Sequence, residues 1–292
     1  MTNNISISGS IGYVLFKYNN IYVLVFSDVH DGVSYCNEGS IQMAEYFKTR
    51  LEKNTVLLEE TTHKEVRLKD LWPNAKHTQE LKKLAYSNSK IKSFDIRPLL
   101  VIFSWELLDV DPSLGKITLS EYLLLIDKFF NGTSVLFTKY IKNQLNKIID
   151  NNKKLEKKNK LHLGEIKRQY EIFKKNNSKF MNMSLNTIKK NYIHILEKIN
   201  DIISYIMEWY IILLILNSEK NIIVHTGLAH SSKLIRMLYW YKFDPLESNG
   251  LNFFEQIPNP EKLDTIQACI QLPRHIDDVF KTKQFGFFSN SK

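Results

Sequence analysis

The chain has 292 residues, with 40 Lys/Arg against 31 Asp/Glu and a formal charge of +9 at pH 7. Its 43% hydrophobic and 24% charged residues are those of an ordinary globular protein, which excludes a disordered or fibrous chain and leaves room for a sizeable core. The first ten residues, MTNNISISGS, lack the basic and apolar regions of a signal peptide, and the apolar stretch from Ile202 to Leu216 is too short and charge-flanked for a bilayer span, so a buried helix is expected.

In chain order, Ile5 to Lys17 and Asn20 to Ser27 read as two strands joined at the polar Tyr18-Asn19-Asn20, which makes a β-hairpin. The run IYVLVF from Ile21 to Phe26 is continuously apolar, as a strand covered on both faces is. Ser40 to Leu51 has helical spacing, Val56 to Leu58 is a short buried strand, His77 to Tyr86 is helix-like, and Lys90 to Phe94 is a further strand. Alternating strands and helices predict parallel pairing after the hairpin.

From Leu99 to about Asn217 the pattern is mostly helical. Leu119 to Tyr140 has helical spacing. Ile141 to Asn200 is a lysine-rich helical excursion, with Lys153 to Lys160 as a solvated turn. Asn221 to Val224 is a core strand, and a helix starts near Ser231 or Ser232 as its N-cap. A short helix is expected at Glu261 to Ile270. The expected fold is therefore α/β: a central mixed, mostly parallel sheet preceded by a β-hairpin, in one domain (1–292) with a large mainly helical insertion at 100–217.

The charge is concentrated. Residues 139–200 hold 16 Lys/Arg against 5 Asp/Glu, and the rest of the chain is close to neutral. Nucleic acid is the partner this segment would suit, although its aromatic residues are sparse and the Asn, Lys and Ile richness of the whole chain has the bias of an AT-rich genome, as in large DNA viruses. The two cysteines, Cys36 and Cys269, lie far apart without metal-type spacing, which argues against a disulfide framework or structural zinc. A reducing, cytoplasmic location is expected, in the host cytoplasm or virion if the source is viral.

Four segments share one order: a short apolar strand, then polar residues with chemistry at its carboxyl end. They are VLVF-SDVH (Asp28, His30), VLL-EE (Glu59, Glu60), IKSF-DIR (Asp95, Arg97) and NIIV-HTGLAH (His225, Gly227, His230). Open α/β sheets bind ligands at the carboxyl ends of parallel strands, so these residues are expected to converge. Paired histidines and a carboxylate suit water activation or metal ligation, and an arginine suits an oxyanion or a substrate carboxylate. Each alone is equally well a strand-end residue meeting solvent or a structural ion pair.

With these motifs the chain resembles the superfamily of erythromycin esterases, ChaN haem-binding proteins and TraB/TIKI proteins. That superfamily has an early and a late Gly-x-x-His motif with a Glu and an Arg between them. The late motif is intact here as Gly227-Leu228-Ala229-His230, while the early one is Ser27-Asp28-Val29-His30, with serine in place of glycine. The resemblance implies a hydrolase of a small-molecule or peptide substrate, with His30, Glu59, Arg97 and His230 catalytic, and Asp28, Glu60, Asp95, His225 and Gly227 lining the substrate. If metal is used, it implies one divalent ion (Mn²⁺, Co²⁺ or Zn²⁺) on His30, Glu59 and His230.

Two alternatives stand beside it. FSDVHDG also resembles the first motif of calcineurin-like metallophosphoesterases, but their Gly-Asp-x-x-Asp and Gly-Asn-His motifs do not occur. A catalytically degenerate member of the fold would instead serve as a structural or interaction protein, for example in a virion.

Overall fold

The computed structural model describes residues 4–29, 34–37, 39–59, 76–257 and 266–281. In chain order the strands and helices are β1 (Asn4–Ser8), β2 (Gly12–Tyr18), β3 (Ile21–Asp28), β4 (Ser34–Tyr35), β5 (Ile41–Gln42), α1 (Met43–Lys48), β6 (Asn54–Leu58), α2 (Lys76–Ser87) and β7 (Ile91–Ser93). There follow α3 (Leu119–Phe130), α4 (Lys142–Asn151), α5 (Lys153–Asn176), α6 (Leu185–Asn191), α7 (Ile193–Leu216), β8 (Asn221–Gly227), α8 (Leu228–Trp240), β9 (Asp244–Gly250), β10 (Gln267–Pro273) and α9 (Arg274–Phe280). The chain divides into two compact units. Met1–Leu58, Asn74–Lys92 and Glu219–Lys292 form the first, and Glu59–Pro73 with Ser93–Ser218 the second.

The first unit is α/β. Its larger sheet has six strands in the order β7-β6-β8-β3-β2-β9 and contains all four apolar strands that the sequence predicts for one sheet. β8 pairs in parallel with β3 on one side and β6 on the other. β2 and β3 form the expected hairpin, closing at Tyr18↔Ile21 with Asn19 at φ 52° in the left-handed region that asparagine tolerates in a tight turn. The central strands are apolar along their length because both faces are covered: Val23 to Phe26 and Ile222 to Val224 are wholly buried. Beneath them Phe26, Tyr46, Phe47, Val56, Leu58 and Ile223 share one hydrophobic core.

A second sheet, β4-β10-β1-β5, departs from the sequence reading. The single strand expected from Ile5 to Lys17 is two. Gly9, at φ +104°, turns the chain out of β1, and the Ser10 hydroxyl donates to the carbonyls of Gly12 (2.9 Å) and Ser27 (2.8 Å), which fixes the crossing into β2. β1 then pairs antiparallel with β10. Gln267–Ile270 is therefore strand and not the end of a helix: its burial alternates, with Ala268, Ile270 and Leu272 inside, as a one-faced strand requires. The remainder of that expected helix, 261–265, lies outside the described residues. α9, which the sequence reading missed, is held by the buried Arg50 donating to Asp277 (3.0 Å from Nε).

The cysteines also require correction. Cys36 and Cys269 are disulfide-bonded, with Cα atoms 4.9 Å apart. β4 pairs with β10 at Ser34↔Gln267 and Tyr35↔Ala268, and the disulfide falls at the next position of the same register. Sequence spacing argued against this bond because 233 residues separate the two sulfurs, and only the folding of β10 beside β4 brings them together.

The second unit is helical. The Thr118 side chain and Glu121 form a reciprocal capping box at the start of α3, and Asn131-Gly132, with Gly132 at φ 69°, breaks the helix expected to Tyr140, which resumes at Val135. The solvated turn expected at Lys153 to Lys160 is instead the first turns of α5. The break is Asn152 alone, whose side chain accepts hydrogen bonds from the backbone N–H groups of Lys154 and Leu155, both at 3.1 Å. Cations of α5 pair with nearby acids, Arg168 with Glu165 and Lys174 with Asp127. α7 has 24 residues, so it is long and apolar enough to cross a membrane by length and composition, contrary to the expectation that it is too short. Yet 78% of its most apolar window is buried, and its buried face, including Ile195, Ile199, Ile206, Trp209 and Ile212, lines the core of this unit.

Candidate active site

β3 and β8 run side by side in parallel, in register as Phe26↔His225, Ser27↔Thr226 and Asp28↔Gly227. Their carboxyl ends are therefore level, and both deliver polar residues into the interior: Ser27, Asp28, His225 and Thr226 are each 0% exposed. A carboxylate so deeply buried is costly without hydrogen-bond partners. Asp28 is hydrogen-bonded to His77, whose Nε2 lies 2.7 Å from Asp28 Oδ2, and His225 Nε2 lies beside it at 4.0 Å from the same oxygen.

The hydrogen-bond partners define the tautomers. His225 Nε2 faces the Gly9 carbonyl at 3.2 Å, an acceptor only, so that nitrogen carries the proton. With His77 Nε2 donating to the Asp28 carboxyl oxygen, His77 Nδ1 is left to accept from the Tyr35 hydroxyl at 3.0 Å. The two imidazoles stand near-perpendicular with centroids 6.3 Å apart, and Phe47 and His225 pack in a T-shaped pair. Gly9 closes the group from the β1 side. A Cβ there would stand 3.2 Å from the Cβ atoms of His77 and Met43, so glycine is needed for space as well as for its φ.

Ser27 stands where the resembling superfamily has glycine. Its backbone is regular strand, outside the positive-φ positions of the chain, and its hydroxyl faces Asn252 Oδ1 at 3.4 Å. The strand accommodates a side chain there without backbone strain.

Gly227 ends β8 and is the N-cap of α8, so strand passes into helix with no intervening loop. The N-cap expected at Ser231 or Ser232 is therefore four or five residues too late. Ser231 is inside the helix and donates to the Leu228 carbonyl at 3.1 Å. His230 consequently stands in the first turn of α8, half-buried.

The second unit brings Glu59, Asp95 and Arg97 together. Arg97 donates to Asp95 from Nε (2.8 Å) and Nη2 (2.9 Å), and to Glu59 Oε1 from Nη2 (2.9 Å). All three are buried, with Arg97 at 7%. Burial alone would lower the Arg97 pKa, but the charge and hydrogen bonds of Asp95, followed by Glu59 and Glu208, outweigh it and hold the guanidinium above its ordinary range. The fork fits its carboxylates in the two-pronged geometry that makes such pairs strong.

Of the expected site residues, His30 and Glu60 lie outside the described residues. Asp28, His225 and Gly227 meet at the ends of β3 and β8, with His230 just beyond in α8, while Glu59, Asp95 and Arg97 form the ionic group of the other unit. Among the described residues no three His, Cys, Asp or Glu side chains are grouped as a metal ion would need. Sequence reasoning missed His77 and Tyr35. His77 opens the amphipathic helix α2 and Tyr35 precedes a cysteine, so neither carries the strand-end signature. The chain matches no family model, no curated protein and no solved structure.

Proposed function

We propose that this protein is a hydrolase of the erythromycin esterase and TraB/TIKI type, with its polar machinery at the carboxyl ends of β3 and β8. The observation that carries this proposal is a buried carboxylate bonded to one imidazole with a second beside it: Asp28 Oδ2 lies 2.7 Å from His77 Nε2 and 4.0 Å from His225 Nε2. Such a group stands where parallel sheets hold their ligands. Imidazoles move protons near neutral pH, and a carboxylate beside them orients the ring and faces the charge that forms. The substrate class is an ester or a peptide bond, cleaved by water that this group activates.

The test is turnover. Purified full-length protein is screened against small-molecule esters and peptides, as prepared, after chelation, and with added Mn²⁺, Co²⁺ or Zn²⁺. Hydrolysis lost in Asp28→Asn while the circular dichroism spectrum is kept supports the proposal. No turnover on any substrate under any of these conditions counts against it.

A second function, a non-enzymatic scaffold, is favoured by one observation. Arg97 is engaged by Asp95 and Glu59 in a closed ionic group, as an internal structural bridge would be.

A further inference from the structure

We propose that Tyr35 is the group through which the Asp28–His77 pair acts, its activated phenol oxygen being the proton-transfer atom of an Asp–His–Tyr relay held in place by the Cys36–Cys269 disulfide. The purpose of the relay rests on the hydrolase proposal; its existence does not.

Both nitrogens of His77 are committed, Nε2 to Asp28 at 2.7 Å and Nδ1 to the Tyr35 hydroxyl at 3.0 Å. The imidazole, 2% exposed, therefore presents neither nitrogen to a substrate. Exposure rises along the series, from Asp28 at 0% through His77 to Tyr35, which is half-buried. The relay therefore reaches outward through the phenol. Carboxylate, imidazole and hydroxyl in this order are the arrangement that activates a hydroxyl in hydrolytic triads, which are recognised by geometry and role and not by fold. Here the ring is turned round, with the carboxylate on Nε2 and the hydroxyl on Nδ1.

In the proton-transfer step Tyr35 gives its proton to His77 Nδ1, and the phenol oxygen takes a proton from water. The water oxygen then bonds to the substrate carbonyl carbon. When the intermediate collapses, Tyr35 gives the water-derived proton to the leaving oxygen or nitrogen and recovers its own proton from His77 Nδ1. Asp28 faces the positive charge that resides on His77 meanwhile.

The phenol needs a fixed seat, and β4 provides little by itself. It is two residues long and pairs with β10 at two positions. The disulfide continues that register immediately after Tyr35, and Gln267 Nε2 donates to the Tyr35 carbonyl at 3.2 Å. A dithiol reductant that opened Cys36–Cys269 to two thiols, itself becoming a disulfide, would remove the covalent part of this clamp.

The test needs no substrate. The intact protein is treated with an aryl sulfonyl fluoride and the labelled tyrosines are located by peptide mass spectrometry. The phenol oxygen bonds to sulfur, fluoride leaves, and the phenol proton passes to His77. The expected result is that Tyr35 labels faster than the exposed Tyr86 and Tyr239. His77→Gln and Asp28→Asn slow this labelling, by about 10²-fold for His77→Gln as the general base is lost, and dithiothreitol or Cys36→Ser slows it as well. Should either relay variant fail to fold, ¹⁵N spectra of the wild-type histidines serve instead, with His77 protonated at Nε2 and its Nδ1 resonance moved by Tyr35→Phe. Tyr35 labelling no faster than Tyr86 in the wild type, or unchanged in folded His77→Gln, or an unmoved Nδ1 resonance, overturns the proposal. Fast His77-dependent labelling without turnover supports the relay while counting against the hydrolase.

Discussion

His77 Nε2 and Asp28 Oδ2 lie 2.7 Å apart although 49 residues separate them in the chain. One comes from the first turn of a helix and the other from the end of a strand, and both are almost wholly buried. Replacing Asp28 with alanine removes the acceptor and leaves a buried imidazole donor unpaired. The expected cost is about 1–3 kcal/mol, read as a lower urea midpoint with an unchanged slope. An unchanged midpoint would mean that His77 finds another partner and that the bond contributes little.

Arg97 makes a second buried group testable. Arg97→Met leaves Asp95 and Glu59 buried without their cation, and the expected loss is about 3–5 kcal/mol. Neutralising all three, as Arg97→Met with Asp95→Asn and Glu59→Gln, should recover part of it, because the residual charges are what make the single change costly. Equal destabilisation by the single and triple variants would show that packing, not charge, dominates there.

The disulfide closes a loop of more than two hundred residues, since its cysteines are 233 apart. Cys36→Ser with Cys269→Ser should lower stability by about 2–4 kcal/mol, chiefly by freeing the unfolded chain. Alkylation of the native protein before and after reduction checks the premise. Two reactive thiols before reduction would remove it.

His162 in α5 sets a pH dependence. Burial lowers its pKa from an ordinary 6.5 to about 4. Between those values the unfolded chain binds a proton that the folded one does not, so stability falls as pH drops from about 6.5 to about 4 and levels off below. The ring is partly exposed, so the expected size is on the order of 1 kcal/mol. His162→Gln should reduce the loss of stability between pH 7 and pH 4.5 by that amount. An identical pH slope in wild type and variant would show that other groups carry the acid sensitivity.

The parts of this fold legible in sequence are those where one segment carries its own signal. Val23 to Phe26 and Ile222 to Val224 are apolar on both faces, so their burial and the polar residues that end them can be read locally. The pairing of β1 with β10 cannot, since Ile7 meets Ile270 across nearly the whole chain and each strand alone is short and ambiguous. The same distance hid the disulfide. At the site, Asp28 and His225 are legible because they follow apolar runs within their strands, whereas His77 is hidden in a helix whose other positions are explained by amphipathic packing. The start of α8 is displaced from the sequence reading because Ser231 is a good capping residue by type, whereas β8 passes directly into the helix at Gly227.

The central claim is that the residues at the carboxyl ends of β3 and β8 work on a substrate and do not merely fill the interior. His230 tests it most directly, since it is half-buried in the first turn of α8 and outside the Asp28–His77 hydrogen bond. The measurement is hydrolysis of the best ester or peptide substrate by wild type and His230→Ala, with thermal melts of both. The account predicts a loss of about 10²- to 10⁴-fold in rate with the melting temperature kept. No turnover by the wild type, with a variant that melts several degrees lower, would contradict it and leave His230 a structural residue.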